Sequence, residues 1–310
     1  MRALKVTGVL LAVVAAAMAV SYGVATRGER ALTEEVRNSL PGSYVRTSQG
    51  TLRYDWHGQP DAPVVVLVPG FSTPSFVFRK NVPALVNAGF RVLTFDHFGR
   101  GFSDRPQARY DDNFFDQELT ELLQSLQVQG PVRLVGYSMG GGVAAVFAAR
   151  HPAQVSKLAL IAPVGYMDPP SGMEALLQVP ILGEWLFAMT GRSMLVGQFE
   201  AESRQGDYPA DMVAPFAEQW DFSGHRTALL SSARHFPYAT LESQYRQVGA
   251  AATPTLVLWG TADQSVPFAG AARLQADVPQ ARLIAVNDGN HNILLNRADL
   301  VNTALVDFFR

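Results

Sequence analysis

The stretch that most constrains how this chain folds is the pentapeptide at residues 136–140, which reads Gly-Tyr-Ser-Met-Gly. A short apolar run typical of a strand precedes it at residues 132–135, and a good helix former follows it at residues 143–150. A serine at the tip of a strand-to-helix turn has a strained backbone, and side chains two positions to either side of it would clash. The pattern therefore predicts a nucleophile elbow, with the Ser138 hydroxyl at a strand end beside unpaired N–H groups.

The rest of the chain alternates between buried strands and helices. Apolar runs typical of strands lie at residues 43–48, 51–56, 64–68, 91–95, 156–161, 255–259 and 281–286, and helical patterns lie at residues 76–88, 112–127, 268–277 and 296–310. This alternation indicates an α/β fold with a mostly parallel sheet and helices on both faces. Ligands in such sheets bind beyond the carboxyl ends of the strands, which is where Ser138 is predicted to lie.

Residues 164–245 interrupt this alternation. They are rich in Met, Phe, Trp and Pro, and they contain helical stretches such as residues 183–189. We interpret the segment as a helical cap that is inserted after the sixth strand and lies over the strand ends. The core of the fold then consists of residues 43–163 and 246–310, and residues 27–42 form a polar spacer ahead of it.

The first 26 residues form a separate segment. A short basic start is followed by residues 6–25, which carry no charge and are rich in Val, Ala and Leu. Twenty such residues suffice to cross a bilayer as one helix, and the basic flank favours an N-terminus on the inside. The preferred interpretation is a membrane anchor. The alternatives are a signal peptide cleaved near residues 23–25, which also places the remaining chain outside the cytoplasm, and a buried core helix.

Composition excludes several classes of function. The 310 residues carry a net charge of −2, so there is no electrostatic case for a nucleic-acid partner. Cysteine is absent, which excludes disulfides, a thiolate metal site and a thiol nucleophile, and which fits an oxidising compartment. No metal or cofactor is expected, and the sequence does not indicate an oligomeric state.

Two later loops can supply the base and the acid that a serine nucleophile needs at neutral pH. Asp263 and His291 each follow one of the last two predicted strands, so both side chains can converge on Ser138 at the strand ends. The order serine, aspartate, histidine is that of α/β-hydrolases. Asp288 is the nearest alternative for the acid. Among the other histidines, His97 precedes the serine and is interpreted as shaping its own loop.

At these positions the chain resembles the α/β-hydrolase superfamily, in its cap-bearing branch of monoacylglycerol lipases, esterases and C–C bond hydrolases. The resemblance spans residues 43–310 and is carried by the segments 69–71, 96–103 and 136–141, by Asp263 and by His291. It implies an oxyanion hole formed by the backbone N–H groups of Phe71 and Met139. Many members have His-Gly ahead of the first oxyanion residue, whereas this chain has Pro69 and Gly70. The polar support of the hole is therefore expected to differ.

The leading hypothesis is a serine hydrolase that cleaves carboxylic esters of lipophilic substrates. In this hypothesis Ser138 attacks, His291 transfers the proton and Asp263 orients the imidazole, while the apolar composition of the predicted cap favours a lipophilic group. One alternative is a C–C bond hydrolase of the meta-cleavage type, which needs a cationic cap residue such as Arg192 or Arg204. The other is a non-catalytic binding protein on a hydrolase scaffold, against which the complete set of catalytic residue types argues.

We expect the full-length protein to fractionate with membranes, whereas a chain that starts near Arg27 should be soluble and keep its chemistry, because residues 1–26 lie outside the predicted core. Cell fractionation and N-terminal sequencing of the mature protein measure this. A mature chain that starts near Thr26 would contradict the anchor and indicate a cleaved signal peptide.

Overall fold

The computed structural model describes residues 2–310, with side chains from residue 6 onward, and contains one eight-stranded sheet. The strands are β1 (Ser43–Arg46), β2 (Thr51–His57), β3 (Val64–Val68), β4 (Arg91–Phe95), β5 (Val132–Tyr137), β6 (Val155–Ile161), β7 (Thr255–Gly260) and β8 (Arg282–Val286). Their order across the sheet is β1-β2-β4-β3-β5-β6-β7-β8. The pairs β1–β2 and β2–β4 are antiparallel, and all the other pairs are parallel. The predicted fold class is therefore confirmed.

The sheet changes its winding direction at β3. The chain passes from β3 to β4 on one side, and it then returns to place β5 on the other side of β3. The connections that leave β3 and β5 therefore diverge beyond their carboxyl ends, which creates the kind of crevice where parallel α/β sheets bind ligands. Pro69 directly follows β3 and Ser138 directly follows β5, so both residues lie at this crevice.

Helices cover both faces of the sheet. The α-helices of the described residues are α1 (Arg2–Ala25), α2 (Glu34–Asn38), α3 (Val82–Asn87), α4 (Asp112–Ser125), α5 (Met139–Arg150), α6 (Gly172–Leu177), α7 (Leu182–Arg204), α8 (Val213–Glu218), α9 (His225–His235), α10 (Glu242–Ala250), α11 (Gly270–Asp277), α12 (Ile293–Asn296) and α13 (Ala298–Phe309). The apolar side chains of α4, α5, α10 and α11 join the core on one face, and those of α3, α12 and α13 join the core on the other.

The helix that follows the elbow is buried almost along its whole length. All residues from 139 to 148 on α5 are buried, because small glycine and alanine side chains let the helix fit between the sheet and its neighbours. Outside it, α4 presents an apolar stripe with Phe115, Leu119 and Leu122 at helical spacing. The first turn of α4 is capped by Asp111, whose side chain accepts a hydrogen bond from the Phe114 N–H at 3.0 Å. The helix beginning after Ser138 is thus fixed inside the core.

One predicted helix is divided in the structure. The segment predicted as a helix at residues 76–88 forms a 3-10 turn at Ser75–Phe78 and then α3. The reason is Pro83, which lacks an N–H group and is accommodated only in the first turn of a helix, so α3 begins at Val82. The last helix, predicted at residues 296–310, corresponds to α13, which begins at Ala298 because the backbone of Arg297 is not helical.

The segment predicted as a cap contains α6 to α9 and the first residues of α10. A small apolar cluster of its own is formed by Leu177, Phe187, Trp220, Leu229 and Leu230. The predicted boundary at residue 245 falls inside α10, whose Tyr245 and Val248 join the sheet core beside α5. Because of this packing, α10 belongs with the core. The rest of the division into core and cap stays a prediction.

The apolar residues of α1 are not covered by the rest of the chain. Residues 6–17 are all exposed, and Val6–Ala25 is long and apolar enough to cross a membrane. A signal sequence passes the same test, so the anchor and the cleaved peptide both fit this helix. The third interpretation, a buried core helix, is contradicted because none of the apolar span is buried.

Candidate active site

Ser138 occupies the turn between β5 and α5 with a backbone φ of 57° and ψ of −122°. Residues with a side chain rarely adopt a positive φ, so this backbone is strained. The turn is also crowded. A Cβ atom at residue 140 would lie 2.2 Å from the Pro69 carbonyl oxygen, and one at residue 136 would lie 2.3 Å from the Gly140 carbonyl oxygen. Both positions therefore need glycine, which explains the Gly-x-Ser-x-Gly pattern.

His291 connects Ser138 to Asp263. Its Nε2 atom lies 3.0 Å from the Ser138 hydroxyl oxygen, and its Nδ1 atom lies 2.8 Å from Oδ2 of Asp263. The buried carboxylate is held in turn by the backbone N–H groups of Ser265 and Val266, which both donate to Oδ1 at 2.9 Å. Since the carboxylate accepts the Nδ1 proton, a neutral imidazole leaves Nε2 free to accept the proton of the serine.

The alternative residues considered from the sequence lie elsewhere. Asp288 is exposed in the turn after β8, and its backbone N–H donates to the Thr261 hydroxyl at 3.0 Å. His97 is buried beside Glu118 on α4. The fold therefore brings together Ser138, His291 and Asp263, and it leaves Asp288 outside this contact.

Two backbone N–H groups lie next to the serine. Met139 is the first residue of α5, and Phe71 follows Gly70 in the loop after β3. That loop touches the serine, because a Cβ atom at residue 70 would lie 3.3 Å from the Ser138 Cβ. Within residues 2–310, neither of these N–H groups donates a hydrogen bond to the protein. Both donors are therefore without a protein acceptor in the described part of the chain, as the predicted oxyanion hole requires.

The carbonyl of Pro69, at the start of the same loop, is held by a buried histidine. Nε2 of His97 donates to this carbonyl oxygen at 3.1 Å. The Nδ1 atom of His97 lies 2.5 Å from one oxygen of Glu118, whose other oxygen accepts from the Phe98 N–H at 2.6 Å. Both side chains are fully buried, and each satisfies the polar atoms of the other. His97 and Glu118 therefore give polar support to the loop after β3. Many members of the resembled family instead have a histidine in this loop, at the position of Pro69.

The carbonyl of Phe71 is held by a buried arginine. Arg100 donates from Nε to this carbonyl at 2.7 Å, from Nη1 to the Phe98 carbonyl at 3.1 Å and from Nη2 to the Ser232 hydroxyl at 2.8 Å. Its side chain is fully buried, and burial lowers the pKa of Arg100 because desolvation disfavours the charged form. None of its hydrogen-bond partners is a carboxylate in the described part of the chain. Because Ser232 is on α9, Arg100 joins the loop beside Ser138 to the predicted cap.

A tyrosine packs against the imidazole from the side of the sheet. The rings of Tyr137 and His291 have centroids 5.0 Å apart. The Tyr137 O–H donates to Asn292 at 3.1 Å, and the Asn292 amide donates to Glu202 on α7 at 3.2 Å. Burial, together with nearby Tyr208, raises the pKa of Tyr137 well above its usual range, so its hydroxyl remains a proton donor. This network fixes the loop that carries His291.

Sequence analysis assigned no role to Arg100 or to Glu118, although the sequence around each residue contains a hint of its burial. Glu118 stands on the apolar face of α4, and a carboxylate in such a position implies a buried partner. Arg100 is a charged residue between Gly99 and Gly101, which have φ values of 83° and 50°. The two glycines indicate a tight turn at Arg100. That the guanidinium points inward from this turn is seen only in the folded structure.

Comparison of the whole sequence with known families agrees with this fold and this site. A profile of the family described as the alpha/beta hydrolase fold matches residues 63–298, which is most of the chain. The chain belongs to the α/β-hydrolase family.

Individual relatives carry names of different reactions. The 2-hydroxy-6-oxononadienedioate/2-hydroxy-6-oxononatrienedioate hydrolase of Paraburkholderia xenovorans is 30% identical over 289 residues, which are 88% of this chain and 96% of the relative. The solved enol-lactonase of Burkholderia xenovorans has a TM-score of 0.73 at 23% identity, with 86% of this chain and 99% of that chain covered. An esterase of Exiguobacterium antarcticum has a TM-score of 0.71 at 23% identity, with 86% and 99% covered. The two solved structures share the fold, which does not define the substrate.

We expect Arg100→Met to lower kcat for a hydrolysed substrate by about tenfold or more, with little change in KM. The loss should stay below the roughly 10²–10³ that follows removal of an oxyanion-hole donor, because Arg100 acts only through the position of Phe71. Steady-state kinetics and thermal unfolding are measured on the same variant. Arg105→Met is the control, since Arg105 is a half-buried arginine nearby that donates to the carbonyls of Ser103 and Gly101 and not to Phe71. Equal losses of kcat in both variants would contradict the prediction.

Proposed function

We propose that this protein is a serine hydrolase that cleaves carboxylic esters through an acyl-enzyme. The observation that carries the proposal is the line of two hydrogen bonds from Asp263 through His291 to Ser138, which are 2.8 Å and 3.0 Å long. This line provides a nucleophile, a base in contact with it and a carboxylate that fixes the tautomer of the base. It is the arrangement that activates a serine hydroxyl at neutral pH.

The proposed reaction has two halves. Ser138 Oγ attacks the ester carbonyl carbon while its proton passes to Nε2 of His291, and the N–H groups of Phe71 and Met139 donate to the oxygen that becomes negative. The carbon–oxygen bond to the alcohol then breaks, and the alcohol leaves with the proton from His291. Water next attacks the acyl carbon, gives a proton to His291 and releases the acid as the serine regains its proton. Asp263 stabilises the imidazolium in both halves.

The proposal of a lipophilic substrate depends on which apolar residues of the predicted cap are exposed. Buried members are Leu177, Phe187, Phe199, Met212, Phe216, Trp220 and Phe222, and exposed members are Met173, Leu176, Val179, Ile181 and Met194. The buried group stabilises the fold and carries no information about the substrate. The exposed group supports an encounter with lipid.

The surroundings of the serine are aromatic, which also supports an apolar acyl group. Phe71 and Tyr238 meet edge to face with ring centroids 6.3 Å apart, and the Tyr238 O–H donates to the Met139 sulfur at 3.2 Å. Tyr137 lies against the imidazole on the side of the sheet. Binding pockets for apolar groups are usually lined in this way, with few polar atoms.

Hydrolysis of a C–C bond is the second candidate, favoured by the 30% identity to the Paraburkholderia xenovorans hydrolase, whose named substrates are dicarboxylates. Such a substrate needs a cation in the predicted cap, for which the sequence offers Arg192 and Arg204. Both are exposed: Arg192 lies 3.1 Å from Asp221, and Arg204 lies 3.8 Å from Glu200. Because both cations have a carboxylate neighbour at the surface, we prefer the ester hydrolase.

We expect Ser138→Ala to reduce kcat by about 10⁶ while the fold is retained, as for loss of the serine in other serine hydrolases. His291→Ala should be nearly as damaging, and the double variant should be little worse than either, because residues that act as one unit are not additive. Ester turnover and thermal unfolding measure this. A Ser138→Ala variant that keeps a tenth of the wild-type rate would refute the assignment.

Two controls accompany these variants. His97→Gln changes a buried histidine that contacts Glu118 and Pro69, so its effect separates loss of the proposed base from disturbance of the loop. Labelling with a fluorophosphonate probe separates an enzyme from a binding protein: the wild type should be labelled and Ser138→Ala should not. Absence of labelling in the folded wild type would support the binding protein.

We expect kcat/KM for p-nitrophenyl esters to rise with chain length from acetate towards laurate. Each buried CH₂ group contributes roughly 0.8 kcal/mol, so four more carbons can raise kcat/KM by on the order of 10² until the pocket is full. A steady fall from acetate onwards would show a small pocket. It would remove the lipophilic part of the proposal and leave Ser138, His291 and Asp263 in their roles.

A further inference from the structure

The end of α1 is attached to the predicted cap by side-chain contacts. Trp185 on α7 donates from Nε1 to the Ser21 hydroxyl at 2.8 Å. Arg226 on α9 donates to the Ala25 carbonyl at 3.1 Å and to the Glu29 carboxylate at 2.6 Å, and its side chain is largely buried. These contacts hold the last turns of α1 against α7 and α9.

The backbone continues this attachment just after α1. The Arg30 N–H donates to the Asp221 carbonyl at 2.8 Å, and the Ser223 N–H donates to the Arg30 carbonyl at 3.0 Å. The Arg30 guanidinium also lies 4.6 Å from the centre of the Phe222 ring. The apolar helix and the predicted cap are therefore one structural unit, and the position of α1 in a membrane determines the position of the cap.

The length of α1 defines this position. At 1.5 Å per residue, the 20 residues Val6–Ala25 are about 30 Å long, which equals the hydrocarbon thickness of a bilayer. Ser21 precedes Ala25 by four residues, so it lies about 6 Å inside the hydrocarbon boundary. Trp185, which binds Ser21, lies at the same depth, and tryptophan is enriched at membrane interfaces. The start of α7 is thus just inside the hydrocarbon boundary when α1 spans the bilayer.

The cap residues next to Trp185 are apolar and exposed. Ile181 lies one turn before it, because the Trp185 N–H donates to the Ile181 carbonyl at 3.1 Å, and Ile181 is 77% exposed. Met173 and Leu176 are three positions apart on one face of α6, and Val179 follows in the next turn. These four exposed residues, Met173, Leu176, Val179 and Ile181, are named the apolar patch.

We propose that the apolar patch inserts into the lipid leaflet next to the carboxyl end of α1. The occupant is the acyl-chain region of a bilayer, because the patch is continuous through Trp185 with a helix of membrane-spanning length. Of the nearby carboxylates, Glu184 is paired with Arg234, and exposed Glu174 is offset around α6 from both Met173 and Leu176 at helical spacing. An inserted cap would receive an ester directly from the lipid phase. This part of the inference rests on the proposed function.

The chain has no cysteine, so a single introduced thiol can be labelled without background. Full-length Ile181→Cys with an environment-sensitive fluorophore is reconstituted in phosphatidylcholine vesicles, with and without lipids that carry a nitroxide quencher. We expect a blue-shifted emission that the nitroxide lipids quench several-fold. The control is Leu300→Cys on α13, an exposed leucine on the core, which should keep the emission seen in water. Water-like, unquenched emission from residue 181 would overturn the proposal.

A second arm tests substrate access. Leu176→Asp combined with Ile181→Asp places two charges in the apolar patch without touching Ser138, His291 or Asp263. We expect turnover of a long-chain ester embedded in vesicles to fall about tenfold or more, and turnover of a water-soluble short-chain ester to remain unchanged. Equal turnover of the embedded ester would overturn the access route. If the wild type hydrolyses neither ester, the proposed function fails, whereas the quenching experiment still decides whether the apolar patch inserts.

Discussion

The site depends on one close approach, in which the loop after β3 passes against the turn between β5 and α5. No side chain fits at residues 136 and 140, and Gly70 touches Ser138, so the serine is held at a positive φ at the strand ends. Parallel pairing from β4 to β8 then brings the loops after β7 and β8 to the same edge. The proposed acid and base arrive on these loops, and the proposed oxyanion donors arrive on the two segments that meet. The geometry of the proposed site therefore follows from backbone packing.

Much of this arrangement could be predicted because its signals are local. The runs at residues 64–68 and 91–95 form strands with those bounds, since continuous Val, Leu and Phe leave few other buried conformations. Asp263 and His291 were predicted because each directly follows a strand, where a side chain must face the strand ends. The division of the helix predicted at residues 76–88 was missed, because apolar residues continue across Pro83.

The contacts that could not be predicted join segments far apart in the chain. His97 and Glu118 make up a buried pair, and Arg100 contacts Ser232 more than a hundred residues later. A histidine or an arginine in a polar loop has the same local sequence whether it is exposed or buried, so its partner is defined only by the packing of α4 and α9. The attachment of α1 to Trp185 has the same origin: hydropathy predicts the helix, and only the fold reveals what its end contacts.

One helix connects the two regions that matter most for the proposed chemistry. Near its start, α9 carries Arg226, which binds the segment after α1, and further along it carries Ser232, which binds Arg100 behind the Phe71 carbonyl. The same helix therefore contacts both the segment after α1 and the arginine that holds the loop beside Ser138. Among the described residues, Arg100 has no carboxylate as a hydrogen-bond partner. Loss of the Ser232 contact would therefore leave one N–H donor of a buried cation without an acceptor. The contacts of α9 therefore tie the proposed oxyanion hole to the segment that follows α1.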